Sequence, residues 1–500
     1  MEENNKNVVD TQKAPATNKK KKSSLSAFSI LFLILIVIYI ISKFTAGLTF
    51  EPTLYKGAEE PVTETIAAKL SDLVMSPYLG FNDAIDISIF VLILGGYLGI
   101  VAKTGALEAG INHLVTKMKG SELVLIGILM FLFSIGGTTY GMAEETIAFY
   151  GLMSMAMVSA GFDTIVASAT ILLGAGAGVL GSTINPFAVG VAADALVAKG
   201  IEVNQTIIIG LGAALWLVTT AICMFFVFKY ALKVKHDKGS TILSLQEQQD
   251  MVDNFSDKGT EKLEFTPKHK LILTVFAFVF VIMIISLMPW YSFGADGVHV
   301  FDGWTALLTG MQFGDWYFGD LAMWFFLFSI VMALIAGFSE KETVDTFIAG
   351  SADMLSVVLI IVVSRGVSML MQITHIDALI LDRASIALQG ANPVVFVIGS
   401  YILYILLSFL IPSTSGLATV SMPVMGGLAA KLGFSPELMI IIFCAGSGIV
   451  NLITPTSGVV MGGLQVAKVE YSTWLKFMRV PLLVIFAASV IILCVAGMAL

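Results

Sequence analysis

Residues 134–186, SIGGTTYGMAEETIAFYGLMSMAMVSAGFDTIVASATILLGAGAGVLGSTINP, are apolar enough to lie in a lipid bilayer, yet two polar, glycine-rich segments interrupt them. The first segment carries the adjacent carboxylates Glu144 and Glu145, and the second ends at Pro186. Lipid offers no hydrogen-bond partner to exposed backbone, so such interruptions are tolerated only inside protein or beside a water-filled cavity. The stretch is therefore a candidate substrate site.

The composition places the chain in a membrane. Of its 500 residues, 57% are hydrophobic and only 13% are charged, a balance that soluble globular proteins do not normally reach. The net charge of −8 does not indicate a nucleic-acid partner. Cys223, Cys444 and Cys494 stand alone in apolar runs without metal-ligand spacing, which predicts buried thiols and neither a metal nor another cofactor. We therefore predict a polytopic membrane protein.

The N-terminal end sets the orientation. Residues 1–24 have the composition of a disordered basic cytoplasmic tail, and residues 25–44 are apolar over a length that can span the bilayer. The lysines at positions 19–22 stay on the cytoplasmic side by the positive-inside rule. A cleaved signal peptide is the alternative, but the run is long and no small-residue cleavage site stands out. We expect an uncleaved first helix that runs outward.

Three segments lead from this helix to the opening stretch. Residues 56–78 are amphipathic and are expected to lie along the outer interface. Residues 83–101 predict a helix that returns inward. Residues 105–120, GALEAGINHLVTKMKG, predict a surface helix on the cytoplasmic side, in which His113 is an ordinary solvated or packed imidazole.

The opening stretch itself predicts a re-entrant hairpin followed by a broken helix. The apolar arms 122–133 and 146–160 are each short for a crossing of about 30 Å, so a hairpin open to the cytoplasm fits better than two spans. Residues 164–197 are too long for one uninterrupted helix. Pro186 removes a backbone donor there, and the glycines before it tolerate unwinding, which predicts a break near mid-membrane.

The chain then divides into two similar halves. The first transmembrane repeat covers 25–230 and ends with a helix over 206–229. A polar cytoplasmic linker, 231–270, follows it, and a linking helix with an aromatic outer loop covers 271–318. The second transmembrane repeat covers 319–500.

Three pairs of motifs in the same order, each displaced by about 270 residues, indicate a duplication. DISIFVLILGGYLG from Asp86 matches DMLSVVLIIVVSRG from Asp353. GGTTYGMA is followed in the second half by its counterpart IPSTSGLA, and AGAGVLGSTINP by AGSGIVNLITP, which pairs Pro186 with Pro455. Chance does not readily produce three ordered matches, even in a membrane composition.

The two copies are predicted to be inverted. The span at 271–290 makes the number of crossings between matched elements odd, which is the architecture of many secondary transporters with sites at the midplane. The second hairpin, 393–432, is then expected to open to the outer face. The predicted fold is an all-α polytopic membrane protein, an inverted-topology repeat with two re-entrant hairpins and two broken helices.

The hairpin tips and the helix breaks are expected to meet and form the substrate site. Freed helix N-termini attract a carboxylate, while hydroxyls and freed carbonyls can coordinate a cation. The polar residues assigned to a substrate are Thr138, Thr139, Gly141, Glu144, Glu145, Asn185, Arg365, Ser413, Thr414, Ser415, Asn451 and Thr454. Those assigned to a coupling ion are Ser182, Thr183, Asn185, Thr454, Thr456 and Ser457. The alternative is that such residues merely allow membrane helices to pack closely.

Charged residues at membrane depth are costly and usually functional. One of Glu144 and Glu145 is expected to face the cavity, to pair with a cation or to carry a proton, and the other to cap the second hairpin helix. Alternatively, both cap the helix or pair with Arg365. Arg365 either balances a glutamate or binds a substrate carboxylate. Asp194 is either a cavity residue or a surface charge.

Three stretches carry a resemblance to a known family: GGTTYGMAEETIAFY, AGAGVLGSTINP, and IPSTSGLATVSMPVMGGLA followed by AGSGIVNLITPTSGVVMGGL. They resemble the YfcC-type, arginine–ornithine antiporter-like branch of the anaerobic dicarboxylate-carrier family in the ion-transporter superfamily. The resemblance implies a multi-pass secondary carrier of the bacterial cytoplasmic membrane, and a homodimer, which is common in the superfamily.

The residues favour one substrate class within that resemblance. A dicarboxylate needs donors or cations and no adjacent anionic pair, whereas a basic amino acid needs donors for one carboxylate and an anion for its side chain. The sequence therefore favours exchange of arginine for ornithine by alternating access. The alternative is a carrier of dicarboxylates or other carboxylates coupled to H⁺ or Na⁺. A channel or a membrane-embedded enzyme is less favoured, because no HExxH or GxSxG is present and the repeated hairpins would be unexplained.

Overall fold

The computed structural model describes residues 27–53, 55, 60–107, 109–110, 113, 121–256, 265–288, 290 and 298–500. The predicted N-terminal tail and most of the predicted surface helix at 105–120 lie outside the described residues. So does part of the predicted outer loop, at 291–297.

Helices make up most of the described chain. In the first half they are α1 (Ala27–Thr45), α2 (Leu70–Asp83), α3 (Ile85–Lys103), α4 (Glu122–Tyr140), α5 (Ile147–Ser159), α6 (Thr164–Leu180), α7 (Val191–Val197), α8 (Gln205–His236) and α9 (Leu245–Phe255). After them come α10 (Pro267–Leu287), α11 (Phe318–Ala336), α12 (Glu340–Asp353), α13 (Leu355–Thr374), α14 (Ile376–Leu388), α15 (Pro393–Leu410), α16 (Thr414–Leu432), α17 (Pro436–Asn451), α18 (Gly458–Val466) and α19 (Tyr471–Ala499). A two-stranded antiparallel ribbon is formed by β1 (Thr49–Thr53) and β2 (Val62–Glu64).

Nine helices of the described chain are long and apolar enough to cross a bilayer. They are α1, α3, α4, α8, α10, α11, α13, α15 and α19. The predicted polytopic α-helical class is confirmed. Among the described residues, the shorter apolar helices are α5 and the broken-helix segments α6, α7 and α17. The first arms of both hairpins, α4 and α15, are long enough to span, so the sequence was wrong to predict a short first arm at 122–133.

Within the described residues, α1–α8 recur in the same order as α11–α13 and α15–α19. The bounds of α2 and α12 differ by 270 residues at both ends. These helices pack across the two halves: α2 of the first half packs on α13 of the second, and α3 packs on α12. Both contacts depend on glycine: a Cβ on Gly80 would lie 2.3 Å from the Gly366 nitrogen, and a Cβ on Gly350 would lie 2.4 Å from the Gly95 oxygen. The duplicated fold is thus built from two interlocked copies.

The first hairpin consists of α4 and α5. The sequence ended its first arm at residue 133, whereas α4 continues through GGTT to Tyr140. The glycines stay helical because they pack against α6: a Cβ on Gly137 would lie 2.1 Å from the Ala175 oxygen. Gly141, at φ 77°, then ends the helix in the left-handed conformation that favours glycine. The tip is therefore shorter than the polar motif suggested.

The broken helices cross each other near the centre of the molecule. Residues 181–185 separate α6 from a π-helical turn, Pro186–Gly190, which leads into α7. In the second copy, residues 452–457 separate α17 from α18. The contact is close, because a Cβ on Gly448 would lie 2.4 Å from the Leu180 Cα.

The region between the halves has more structure than its polar composition indicated. The helix predicted over 206–229 continues to His236, and α9 forms within the predicted linker. The buried carboxylate Glu247 organises it: its Oε2 accepts hydrogen bonds from the Ser244 nitrogen (2.7 Å) and Thr473 Oγ1 (3.0 Å). Its Oε1 accepts one from the Glu470 nitrogen at 2.8 Å. This segment therefore holds the beginning of α19 in place.

The segment predicted to lie along the outer interface is also different. Its described part contains β2 and then α2, which packs against α13 through Gly80. The ribbon docks on α14, where the Glu51 nitrogen donates to Asp382 Oδ1 at 3.1 Å. Tertiary contacts, rather than amphipathicity alone, fix this segment.

Candidate functional site

Both hairpin tips and both helix breaks meet at one cavity of about 130 Å³. Of the residues that the sequence singled out, those lining it are Gly141, Glu144, Glu145, Asn185, Arg365, Ser413, Thr414, Ser415, Asn451, Thr456 and Ser457. The structure thus brings together residues from helices that lie up to about 300 positions apart in the chain.

The first tip and the first break fit against each other. A Cβ on Gly141 would lie 2.6 Å from Asn185 Oδ1, so only glycine fits there. Asn185 Oδ1 accepts hydrogen bonds from the backbone nitrogens of Phe187 (3.0 Å) and Ala188 (3.3 Å). Its Nδ2 donates to Ser182 Oγ at 3.0 Å. Asn185 therefore caps the helical segment that begins after the break, at Pro186, in the cavity wall.

Several predicted residues do not line the cavity, because their hydroxyls bond to backbone. Thr138 Oγ1 donates to the Gly181 oxygen at 2.7 Å, and Thr183 Oγ1 donates to the Thr138 oxygen at 3.0 Å. Thr139 Oγ1 donates to Ile135, and Ser182 Oγ to Val179. These side chains satisfy the broken backbone, which a membrane interior would otherwise penalise.

The second break is held in the same way. Thr454 Oγ1 and Thr456 Oγ1 lie 2.7 Å apart, and Thr456 Oγ1 donates to the Phe409 oxygen at 3.1 Å. Phe409 lies in the last turn of α15, as Thr138 does in α4, so each break is tied to the end of its own hairpin's first arm. Trp474 Nε1 also donates to the Leu452 oxygen at 2.9 Å. Thr454 therefore stabilises the break and lies outside the cavity lining.

The second tip presents a helix N-terminus to the cavity. Ser413 is the N-cap of α16, and its Oγ accepts a hydrogen bond from the Gly416 nitrogen at 3.2 Å. Thr414 Oγ1 and Asn451 Nδ2 each lie 3.4 Å from Ser447 Oγ. The remaining N–H groups of the first turn of α16 have no partner within the helix, so they favour an anionic group in the cavity.

The two glutamates of the first tip have different surroundings. Glu145 is only 3% exposed, and its Oε2 accepts a hydrogen bond from the Ala143 nitrogen at 3.1 Å, within the turn. Glu144 is half-buried, and within the described residues it makes no hydrogen bond or ion pair. Glu145 therefore shapes the tip, while the Glu144 carboxylate is available to a ligand.

Arg365 is the one cationic side chain among the described residues of the lining. Its Nε lies 3.8 Å from Asp83 Oδ2, at the end of α2. Within the described part of the chain, its ion-pair partner is thus neither of the two glutamates. The contact is long and half-exposed, so Arg365 keeps donors for an anion from the cavity.

Sequence reasoning missed Asp83, Tyr317 and Phe318. Tyr317 and Phe318 line the cavity from the start of α11, at the end of a segment whose aromatic composition predicts a loop at the membrane interface. Burial raises the pKa of Tyr317; the nearby Glu144 raises it further and Arg365 lowers it. The Tyr317 hydroxyl therefore lies within electrostatic reach of both charges. No local pattern signalled this, because Tyr317 reaches the site only by tertiary packing.

Asp194 lies outside the cavity lining. It is exposed on α7, which agrees with its alternative as a surface charge. Among the described residues, no cluster of three or more His, Cys, Asp or Glu side chains could hold a metal ion.

The sequence matches the family described as C4-dicarboxylate anaerobic carrier, DcuC, over residues 25–498. An uncharacterised protein of Haemophilus influenzae is 32% identical over 442 residues, which cover 87% of this chain and 80% of that protein. A protein of Escherichia coli K12, provisionally named the basic amino acid antiporter YfcC, is 26% identical over 424 residues, 82% of this chain and 77% of that protein.

Two solved structures were also matched. MtrF of Neisseria gonorrhoeae, reported with a class of antimetabolite efflux pumps, is 17% identical with a TM-score of 0.44 and covers 95% of each chain. The YdaH transporter of Alcanivorax borkumensis is 14% identical with a TM-score of 0.47, covering 94% of this chain and 98% of that one.

The family match covers nearly the whole chain, and the spans and the cavity agree with it. The protein is a secondary transporter rather than an enzyme, and it is a multi-pass protein of the bacterial cytoplasmic membrane. The chain belongs to the C4-dicarboxylate anaerobic carrier family.

Proposed function

We propose that this carrier exchanges arginine for ornithine by alternating access. The observation that carries the proposal is the Glu144 carboxylate, which lines the cavity without a hydrogen bond or ion pair in the described chain. An unpaired carboxylate at membrane depth is costly, so it is best explained by a cationic group that arrives with the substrate. A guanidinium or an ammonium group fits this requirement.

The same cavity supports binding of the other end of an amino acid. The N-terminus of α16, with Ser413, Thr414 and Ser415, offers N–H groups and a positive partial charge. Arg365 adds a guanidinium that can bind a carboxylate. Arginine and ornithine both carry one α-carboxylate and one cationic side chain, so either can use these groups in turn.

Alternating access follows from the symmetry of the fold. The hairpin α4–α5 is expected to open to the cytoplasm and α15–α16 to the outside, and the two breaks lie between them. Small movements of one hairpin relative to the crossed helices α6 and α17 would then expose the cavity on one side. The provisional name of the E. coli relative is a further support for basic amino acids as substrates.

The test is exchange in liposomes that contain the purified protein. Vesicles loaded with ornithine should take up labelled arginine, and external lysine should compete better than succinate or fumarate. Glu144→Gln should weaken arginine uptake by at least about tenfold, since it removes a charge-assisted contact. Glu340→Gln, at an exposed position outside the cavity, is the control and should transport normally. Exchange of succinate without any uptake of arginine would overturn the proposal.

A second candidate is a carrier of dicarboxylates coupled to H⁺ or Na⁺. It is favoured by the family description, together with Arg365 and the α16 N-terminus in the cavity. A dicarboxylate beside Glu144 and Glu145 would need protons or cations to offset the repulsion. The backbone carbonyls at the breaks, around Asn185 and Thr454, are candidates for coordinating Na⁺. Succinate uptake that stops when Na⁺ is removed or the proton gradient is collapsed would support this alternative.

A further inference from the structure

The charges of the cavity suggest what prevents the empty carrier from changing its orientation. The described lining carries two carboxylates, Glu144 and Glu145, and one guanidinium, Arg365. Arg365 already faces Asp83, and Glu145 is held in its turn by the Ala143 nitrogen. Glu144 is left without a partner in the described chain.

A carrier must pass through a state in which its site is closed to water on both sides. The elements around the cavity are already tightly packed: the first tip against the first break at Gly141 and Asn185, and the two crossed helices against each other at Gly448 and Leu180. Closure would remove water from Glu144 while no protein group replaces it. The free-energy cost of an unpaired buried charge is large, so this closed state is rarely reached when the site is empty.

A substrate changes this balance only if it brings a net positive charge. The α-ammonium and α-carboxylate groups of an amino acid cancel each other, and a cationic side chain then offsets Glu144. A neutral amino acid leaves Glu144 unpaired, and a dicarboxylate adds repulsion. The second hairpin has no counterpart of this charge, because the positions that match Glu144 and Glu145 are the neutral residues Thr419 and Val420.

We propose that Glu144 enforces exchange: its uncompensated carboxylate blocks reorientation of the empty carrier, and a cationic substrate releases the block. This inference rests on the proposed function. It adds that Glu144 is the group that couples the outward movement of one substrate to the inward movement of the other. Glu144 thereby selects for charge and prevents net loss of substrate.

The experiment compares efflux with and without external substrate. Liposomes with the wild-type protein are loaded with labelled ornithine and diluted into buffer with no substrate, or with arginine. Arginine should accelerate wild-type efflux by at least about tenfold. In Glu144→Gln, efflux into substrate-free buffer should rise and the acceleration should fall to about twofold or less. Glu144→Asp, which keeps the charge, and the surface control Glu340→Gln should retain the acceleration.

A second measurement compares the wild type with Glu144→Gln and uses a neutral analogue of arginine. External citrulline has the shape of arginine, but its side chain is uncharged. It should not accelerate ornithine efflux in the wild type, because Glu144 stays unpaired. In Glu144→Gln, citrulline should become a substrate.

Each failure has a separate meaning. No ornithine–arginine exchange by the wild type overturns the proposed function itself. Two results for the wild type overturn the role of Glu144 alone. One is exchange together with rapid ornithine efflux into substrate-free buffer, and the other is ornithine efflux that citrulline accelerates as much as arginine does. A Glu144→Gln protein that elutes as folded on size exclusion yet neither exchanges nor leaks also overturns this role, because Glu144 would then be needed for reorientation.

Discussion

Single residues set the close contacts on which the site depends. Gly137 and Gly178 face each other where α4 crosses α6, and their absent side chains let the two backbones touch. The contact holds the end of α4 beside the first break, where Thr138 bonds to residues of that break. Small residues commonly allow membrane helices to approach in this way.

A single methyl group at this crossing should therefore be destabilising. In Gly178→Ala, the new Cβ would lie 2.1 Å from the Ser134 oxygen, so α4 and α6 must move apart. We expect a loss of about 1–3 kcal/mol of unfolding free energy, seen as a lower melting temperature in detergent. Gly427→Ala in α16 is the control, since no atom outside its own helix lies within 4 Å of its Cβ position. Equal melting temperatures for the two variants would contradict the prediction.

At the scale of elements, the β1–β2 ribbon is docked onto α14. Tyr55 donates its hydroxyl to Asp377 Oδ1, Arg383 Nη2 donates to the Thr49 oxygen at 2.9 Å, and His375 stacks on the Tyr55 ring. Asp377 is completely buried, and its Oδ2 accepts no hydrogen bond from the described chain. The ribbon thus covers a carboxyl group that burial favours in its neutral form.

This docking should make stability depend on pH. Burial raises the pKa of Asp377 to about 6, although the Tyr55 hydrogen bond opposes the shift. In the unfolded chain the pKa of an aspartate is about 3.9. Between about pH 3.9 and pH 6 the folded protein therefore keeps a proton on Asp377 that the unfolded chain has released, so the free energy of unfolding falls as the pH rises through this range. Relative to Asp377→Asn, the wild type should lose roughly 2 kcal/mol between about pH 4 and pH 7.

Melting temperatures of the two proteins, measured across this pH range, check the prediction. Other titrating groups, including His375, are common to both proteins, so they largely cancel in the difference. A constant difference at every pH would show that Asp377 titrates as an ordinary exposed carboxyl group.

At the scale of the molecule, the duplication predicts that equivalent turns lie on opposite sides of the membrane. Gly161 and Gly433, both with positive φ, follow the second arm of each hairpin. Ser159 and Lys431 each lie two residues earlier and are exposed. If the copies are inverted, Ser159 faces the cytoplasm and Lys431 the outside.

Cysteine labelling tests this arrangement. In a cysteine-free background, Lys431→Cys should react with a membrane-impermeant maleimide in intact cells. Ser159→Cys should react only in inverted vesicles or after the membrane is opened. Labelling of both positions from the same side would rule out inverted copies. Both variants should retain transport, which shows that the labelled protein is folded.

Much of the fold could be predicted from the sequence because its signals are local. Hydropathy and length identify the spans, and the polar, glycine-rich motifs that end at Pro186 and Pro455 mark the breaks. Proline alone would not have been enough, since Pro423 and Pro481 lie inside α16 and α19. The repeat is visible as matched motifs. Boundaries that depend on packing were wrong: α4 continues through its glycines because they contact α6, and α9 forms where Glu247 meets the beginning of α19.

The candidate site was predicted in part. The sequence by itself determined that polar tips and breaks occur twice, and that the charged pair occurs in one copy only. The tertiary structure alone decided that the hydroxyl of Thr138 is hydrogen-bonded to the backbone of the first break and that Arg365 faces Asp83. It also decided that Glu145 folds back on its turn while Glu144 faces the cavity. The physical reason is that a side chain's direction and partners come from helices far away in the chain, whereas hydropathy and backbone breaks are properties of each segment.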